Sequence, residues 1–113
     1  MIRRQSLSNS PEDQKLLTLA KATMARSNSK SAAALRDSTG RTYVAIPVQS
    51  GEFEVDSLLA VLVVAKASQI SGIEAVVIAG EKPSSKSIEI IRAEDVTVNI
   101  FGVTEVGALA IIN

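Results

Sequence analysis

The sequence predicts an α/β protein in which helices cover both faces of a five-stranded sheet. Two observations lead to this prediction. The run IEAVVIAG, residues 73–80, is apolar without alternation, which is typical of a central strand covered on both faces. The whole chain also divides by its periodicity into helix, strand, strand, helix, strand, helix, strand and strand. With 113 residues and 46% hydrophobic content, the chain fits one domain, residues 1–113.

The first helix has clear start signals. Ser10 is a suitable N-cap, Pro11 fits the first helical position and Asp13 falls in the first turn. Apolar residues at helical spacing then continue to about Arg26. Residues 1–9, which contain the polar run SLSNS, are expected to form a flexible N-terminus.

A hairpin and a second helix follow. Residues 32–36 and 41–49 are β-runs on either side of the turn residues DSTG, which predicts two paired strands. Asp56 can then cap a helix that runs to Gly72. Since apolar residues occupy every face of this helix, we expect it to be buried on most sides.

The last third of the chain is less uniform. Ser84 to Glu94, SSKSIEIIRAE, favours a short helix, although SIEII would also suit a strand. Residues 96–101 and 106–112 are two β-runs around a tight loop, so we predict a final antiparallel hairpin. Its end strand contains ALAII, which has no charge to protect its edge and is expected to pair with another surface.

Composition excludes several classes of partner. The 12 basic and 12 acidic residues balance, and three aromatic residues leave little for base stacking, so we expect no nucleic acid. No apolar run approaches the roughly 20 residues of a membrane span, and the N-terminus lacks a signal-peptide core. We therefore expect no membrane association and a cytoplasmic protein.

Cysteine and histidine are both absent. Thiolate chemistry and the usual general base near neutral pH are therefore missing, and a zinc site would need carboxylates alone, which is rare for zinc. We expect no metal and no cofactor. The acidic residues Glu52, Glu54 and Asp56 allow a hard-metal or acid/base site, but a solvated loop is the simpler interpretation.

Three segments resemble the cytidine deaminase family of small nucleoside deaminases. Residues 32–50, AAALRDSTGRTYVAIPVQS, are similar to the family's first hairpin. Residues 55–67, VDSLLAVLVVAKA, stand where the family has Cys-Ala-Glu or His-Ala-Glu and then a lysine, with Lys66 in register. Residues 83–91, PSSKSIEII, stand where it has Pro-Cys-x-x-Cys. The resemblance implies a three-layer α/β/α fold with a five-stranded mixed sheet.

The family's chemistry needs groups that this chain lacks. In the family, zinc on three nitrogen or sulfur ligands holds a hydroxide that attacks the pyrimidine ring, and a glutamate moves the protons. A gapless alignment puts Leu58 at the first ligand position and Ala60 at the glutamate, while Ser84 and Ser87 replace the two cysteines. Leucine has no lone pair and a neutral hydroxyl is a poor zinc ligand, so the resemblance implies a degenerate site.

The substrate positions are degenerate as well. The asparagine and glutamate that hold the ribose in the family fall on Pro47 and Gln49. Each substituted residue also has a plain structural interpretation: Leu58 is a core residue, and Ser84 and Ser87 are an N-cap and a first-turn residue of the following helix.

Three functions remain open at this point. The first is a catalytically inactive deaminase homologue with a structural or interaction role, as a homo-oligomer (dimer or tetramer) or with an unidentified protein partner. Self-association is expected because the helix at 56–72 is apolar on all faces and the family packs through this region. The second is a zinc-free binder of a nucleoside-like ligand, and the third is an enzyme that uses non-zinc chemistry at the acidic loop.

Overall fold

The computed structural model describes residues 7–8 and 10–112. The helices are α1 (Pro11–Ser27), α2 (Ser57–Ala67) and α3 (Ser85–Glu94). The strands are β1 (Leu7–Ser8), β2 (Ser31–Asp37), β3 (Thr42–Ala45), β4 (Val48–Ser50), β5 (Phe53–Val55), β6 (Ile73–Gly80), β7 (Asn99–Val103) and β8 (Leu109–Ile111).

The main sheet has the strand order β1-β8-β7-β6-β2-β3. Strands β6 and β7 are parallel and the other neighbours are antiparallel, so the sheet is mixed. Its five longer strands are the five that the sequence predicts, and β6 lies inside the sheet between β7 and β2 as expected. The short β1 is a sixth strand that the sequence did not predict.

Helices cover both faces of this sheet, which confirms the three-layer α/β/α fold. Alternate residues of β6 point to opposite faces. Val77 packs with Leu16 and Ala20 of α1, whereas Val76 packs with Leu58 of α2 on the other side. All five of these side chains are 0% exposed. The unbroken apolar run in β6 therefore reflects its two covered faces.

Helix α1 begins as the sequence predicts. The Ser10 hydroxyl accepts a hydrogen bond from the backbone N–H of Asp13, and Pro11 occupies the first turn. The helix ends at Ser27, where Asn28 adopts a left-handed conformation with φ 54° and its N–H bonds back to the last turn.

Helix α2 is shorter than predicted and its burial is one-sided. It ends at Ala67 rather than near Gly72, because Ser68 closes the last turn and Gln69 has a φ of 60°, which an α-helix cannot continue. Val63 and Val64 are 60% and 41% exposed, so the prediction of burial on most sides was wrong for this face. Within the described residues, no helix is both long enough and apolar enough to cross a bilayer.

The predicted second strand, residues 41–49, is divided in two. Strand β3 ends at Ala45, and β4 starts at Val48 and pairs with β5 as a separate two-stranded sheet. Pro47 lies between them and has no N–H to donate, so the strand ladder cannot continue through it. Gly51, with a φ of 61°, makes the turn of this unpredicted hairpin.

The third helix and the last hairpin form as predicted. Ser84 caps α3, which settles the ambiguity of SIEII in favour of the helix. Strand β8 pairs with β7 on one side, and β1 pairs with it on the other, with Leu7 opposite Ala110. The edge expected to associate with another surface is therefore partly covered from within the chain. Most of the N-terminus predicted to be flexible, residues 1–6 and 9, lies outside the described residues.

Candidate functional site

A cleft of about 640 Å³ opens at the sheet edge where β6 ends and β2 begins. The N-termini of α2 and α3 meet at this cleft, and the β4–β5 hairpin contributes another wall. Its lining includes Ser31, Asp56, Ser57, Ser84 and Ser87. Hydroxyl groups, one carboxylate and the Lys86 side chain of the first turn of α3 therefore lie in the part of the cleft next to the helix ends.

Asp56 contacts both helices. As the N-cap of α2 it accepts a hydrogen bond from the Leu59 backbone N–H at 2.9 Å with Oδ1. Its other oxygen, Oδ2, accepts from the backbone N–H of Ser84 at 3.0 Å. Ser84 is the N-cap of α3, so one carboxylate joins the starts of two helices that are 28 residues apart in the chain.

Two serines of α3 complete this arrangement. The Ser84 hydroxyl accepts from the Ser87 N–H at 3.1 Å, and it lies 3.0 Å from the Ser87 hydroxyl, to which it donates. Ser87 is only 4% exposed. Asp56, Ser84 and Ser87 form a connected polar group, called the Asp56 cluster below.

The surroundings of Asp56 favour its charged form. Partial burial on its own would raise the pKa of this carboxyl, since desolvation penalises charge. Hydrogen bonds from the backbone N–H groups of Leu59 and Ser84, followed by the Ser87 hydroxyl, outweigh burial and hold the pKa below its ordinary value. Asp56 is therefore an ionised acceptor that is already supplied with donors.

A second hydroxyl pair lies deeper. The Ser31 hydroxyl donates to the Ser57 hydroxyl at 3.0 Å, and the two residues are 4% and 2% exposed. The contact joins the start of β2 to the first turn of α2. Neither serine was singled out from the sequence, although Ser57 directly follows the predicted N-cap Asp56.

The structure brings together only some of the residues predicted at the site. Ser84, Ser87, Pro47 and Gln49 all line the cleft. Leu58 does not: it is 0% exposed and packs in the core between α2 and the sheet. Ala60 is also buried, at 7% exposure, and is not among the residues that line the cleft.

The gapless alignment placed Leu58 at the site, whereas the structure places Asp56 there. Asp56, two residues before Leu58, is the α2 residue that reaches Ser84 and Ser87. The physical reason is the helix start: an N-cap side chain folds over the first turn, whereas Leu58 lies inside the helix on its core-facing side. The sequence predicted Asp56 as the cap of this helix, which the structure confirms, but it did not predict the second bond to Ser84.

That acidic loop does not form a cluster. Glu52 lies at the turn of the β4–β5 hairpin and Glu54 on β5, both exposed, whereas Asp56 bonds to the helix ends. Among residues 7–8 and 10–112, no group of three or more His, Cys, Asp or Glu could hold a metal ion.

Lys66 pairs with Glu94 of α3 at 2.5 Å on the surface, and it does not line the cleft.

Comparisons with known proteins identify the family. A sequence model of the family described as "Cytidine deaminase-like" matches residues 9–107. The chain belongs to this cytidine deaminase-like family. A crystal structure of cytidine deaminase from Mycobacterium leprae has the same fold, with a TM-score of 0.66 and 15% identity over 89% of this chain and 94% of that one. A search of curated proteins finds no match.

The zinc ion that the family resemblance implies does not fit the residues present. Zinc in such sites is held by cysteine, histidine or carboxylate, and this chain has neither cysteine nor histidine. At the helix ends, the Asp56 cluster offers one carboxylate, whose oxygens already accept hydrogen bonds, and two neutral hydroxyls. This donor set is too poor to hold zinc, and no reaction step through a metal follows from it.

Proposed function

We propose that this cytidine deaminase-like protein does not deaminate nucleosides and has a structural or interaction role as a homo-oligomer. The observation that supports this most directly is the Asp56 cluster. A carboxylate and two hydroxyls, hydrogen-bonded to one another and to backbone, stand where the helix ends would present zinc ligands.

The residues at the cleft are also poorly suited to proton transfer. A general base works best when its pKa lies near the working pH, but the pKa of Asp56 is held below its ordinary value. Leu58 and Ala60, the other positions considered for catalytic groups, carry no titratable group. The remaining cleft carboxylates, Glu54 and Glu81, lie on exposed residues.

Metal analysis and activity assays test this proposal. Protein purified with added zinc should contain far less than one zinc per chain, and it should not convert cytidine or deoxycytidine to the uridine products. A stoichiometric zinc content that survives dialysis, or turnover that follows the protein through purification, would contradict the proposal.

The exposed side of α2 supports self-association. Val63 and Val64 are 60% and 41% exposed on consecutive residues, and Leu59 one turn earlier is only half buried. Apolar side chains grouped on one helix face are stabilised when a partner removes them from water. A second copy of the chain, related by a twofold axis, would bury the same face on both subunits.

Sedimentation equilibrium with a matched pair of variants tests the association. Wild-type protein should sediment as a dimer or tetramer at micromolar concentrations. Val63→Glu should yield monomers, because the charge would be buried at the contact. The control Leu19→Glu changes an exposed apolar residue of α1, on the other face of the sheet, and should leave the assembly intact. A wild-type monomer at high micromolar concentration, or equal effects of the two variants, would count against this interface.

A second candidate function is binding of a small, nucleoside-like ligand without zinc. The observation in its favour is that the cleft remains open, at about 640 Å³, and is lined by Gln49 and several hydroxyls. Thermal unfolding with 1 mM cytidine or uridine separates the two functions, since a ligand that binds only the folded state raises the melting temperature. A rise that is lost in Gln49→Ala would favour the binder, and no shift would favour the structural role.

A further inference from the structure

Two helix N-termini, both with partial positive charge, point into the same cleft. The first turn of each helix leaves backbone N–H groups without helical acceptors, and the helix dipole adds partial positive charge there. Helices α2 and α3 both begin at the cleft, at Ser57 and Ser85. Something negative or rich in acceptors must lie between them if they are to stay in contact.

We propose that the Asp56 cluster is a metal-free link that holds the N-termini of α2 and α3 together at the base of the cleft. The disagreement between the family's zinc site and the residues present leads to this inference. The carboxylate supplies negative charge to both helix ends, and each of its oxygens serves a different helix.

The simpler alternative is that Asp56 only caps α2. Capping requires one acceptor oxygen facing the first turn, and Oδ1 satisfies it through the Leu59 N–H. The bond from the Ser84 N–H to Oδ2 has no part in capping α2, because Ser84 belongs to the start of α3. Loss of Asp56 would leave donors without acceptors in both helices, which distinguishes the link from a cap.

This inference is independent of the proposed function. A protein that bound nucleosides, or acted on them by other chemistry, could use the same link. The experiments below therefore measure local stability and induced metal binding in the engineered chain. Neither readout depends on activity or on oligomerisation.

Amide hydrogen exchange on Asp56→Asn provides the first test. Asparagine keeps the size of the side chain but removes its charge. One of its two terminal atoms is an N–H₂ donor, which cannot accept a hydrogen bond from the backbone N–H of Leu59 or Ser84. Protection of the Ser84, Ser87 and Ile88 amides in α3 should fall about ten- to a hundredfold, as expected when bonds to a charged group are lost. Loss of protection confined to Leu59 and Ala60 of α2 would reduce Asp56 to a helix cap and overturn the proposal.

A matched control comes from Asp95. Its Oδ1 accepts from the N–H and hydroxyl of Thr97 within one turn, and its own N–H bonds to Ile91, so it joins no second helix. Asp95→Asn should change exchange only near Thr97. If Asp56→Asn proves too unstable, Asp56→Glu keeps the charge but displaces it by one methylene, and protection of the Leu59 and Ser84 amides should fall together. An unchanged Ser84 amide would also overturn the link.

Introduced cysteines test the geometry directly. If three side chains truly converge, Asp56→Cys/Ser84→Cys/Ser87→Cys should bind about one zinc per chain in reducing buffer, since three thiolates and a water suffice for zinc. The control Leu58→Cys/Ser84→Cys/Ser87→Cys uses the register expected from the sequence and should bind much more weakly. Equal zinc binding by both triple variants, or binding by neither, would show that the three positions do not meet as described.

Discussion

Gly80 offers a sharp test of the close packing beside the cleft. It ends β6 with a φ of +85°, a conformation that residues with a side chain rarely adopt. A Cβ at this position would lie 2.2 Å from the Lys30 carbonyl oxygen, 2.7 Å from the Met24 sulfur and 2.9 Å from the Ser31 Cα. Because two of these neighbours are backbone atoms, they cannot turn aside as a flexible side chain could.

Two effects add up in Gly80→Ala. The left-handed backbone costs an alanine about 1–2 kcal/mol. Overpacking against the neighbouring backbone costs about 1–3 kcal/mol more. We therefore expect Gly80→Ala to lower the free energy of unfolding by about 2–5 kcal/mol, a large part of the stability of a domain of this size.

Gly107→Ala separates the two effects. Gly107 has nearly the same φ, +84°, but apart from Gly107 and its two chain neighbours no atom of the described residues lies within 4 Å of the position its Cβ would take. It should therefore lose only the first contribution, about 1–2 kcal/mol. Both substitutions also restrict the unfolded chain in the same way, so that effect cancels in the comparison.

Urea unfolding followed by circular dichroism measures both variants. The midpoint of Gly80→Ala should fall well below that of Gly107→Ala at a similar dependence on urea, which would show that Gly80→Ala loses more stability. Equal losses in the two variants would mean that the contact between Gly80 and the Lys30 carbonyl is absent, and with it the close approach of β6 to the chain before β2.

Two further predictions concern a core residue of α2, Leu58, and a residue at the turn between β2 and β3, Asp37. Leu58→Ala should lower the free energy of unfolding in urea by about 2–5 kcal/mol, because the side chain is 0% exposed. Leu58→Asp should lower it further, because it buries an unpaired charge. A loss below about 0.5 kcal/mol for Leu58→Ala would place Leu58 at the surface. Burial would raise the pKa of Asp37, but hydrogen bonds from the Thr39 hydroxyl, the Arg41 and Thr39 N–H groups and Tyr43 hold it below the ordinary value. Asp37 therefore stabilises the fold above the unfolded pKa of about 4 and loses this effect as pH falls through the lower folded pKa, so Asp37→Asn should be less stable at pH 7 and approach wild type in acid. A constant difference from pH 7 to 3 would contradict this.

Local signals explain why much of the fold was predictable. The start of α1 depends on Ser10, Pro11 and Asp13, which act within one turn of each other. Strand β6 is apolar along its length because both of its faces are covered, so its position inside the sheet follows from its own residues. The same holds for α3, whose cap Ser84 decides between helix and strand.

The features missed depend on contacts between distant residues or on single backbone conformations. The β4–β5 hairpin exists because Pro47 ends one strand and Gly51 turns the next, whereas the apolar pattern of residues 41–49 is continuous. Strand β1 is too short to show a period of its own and is defined by its pairing with β8. The contact between Asp56 and Ser84 spans 28 residues, and neither residue signals the other in the sequence.

The position of Leu58 shows that the packing of the core and the contact between the helix ends depend on different residues, whereas the sequence alignment placed Leu58 at both. Leu58, Val61, Leu62 and Ala65 form the side of α2 that packs on the sheet, and none of these four residues lines the cleft. The starts of α2 and α3 are held instead by charge and hydrogen bonds at Asp56. Because the core of the fold and the contact between the helix ends use different residues, the metal ligands of the family can be lost without repacking the core. What the fold requires at the cleft is an acceptor for two helix N-termini, and one carboxylate meets that requirement.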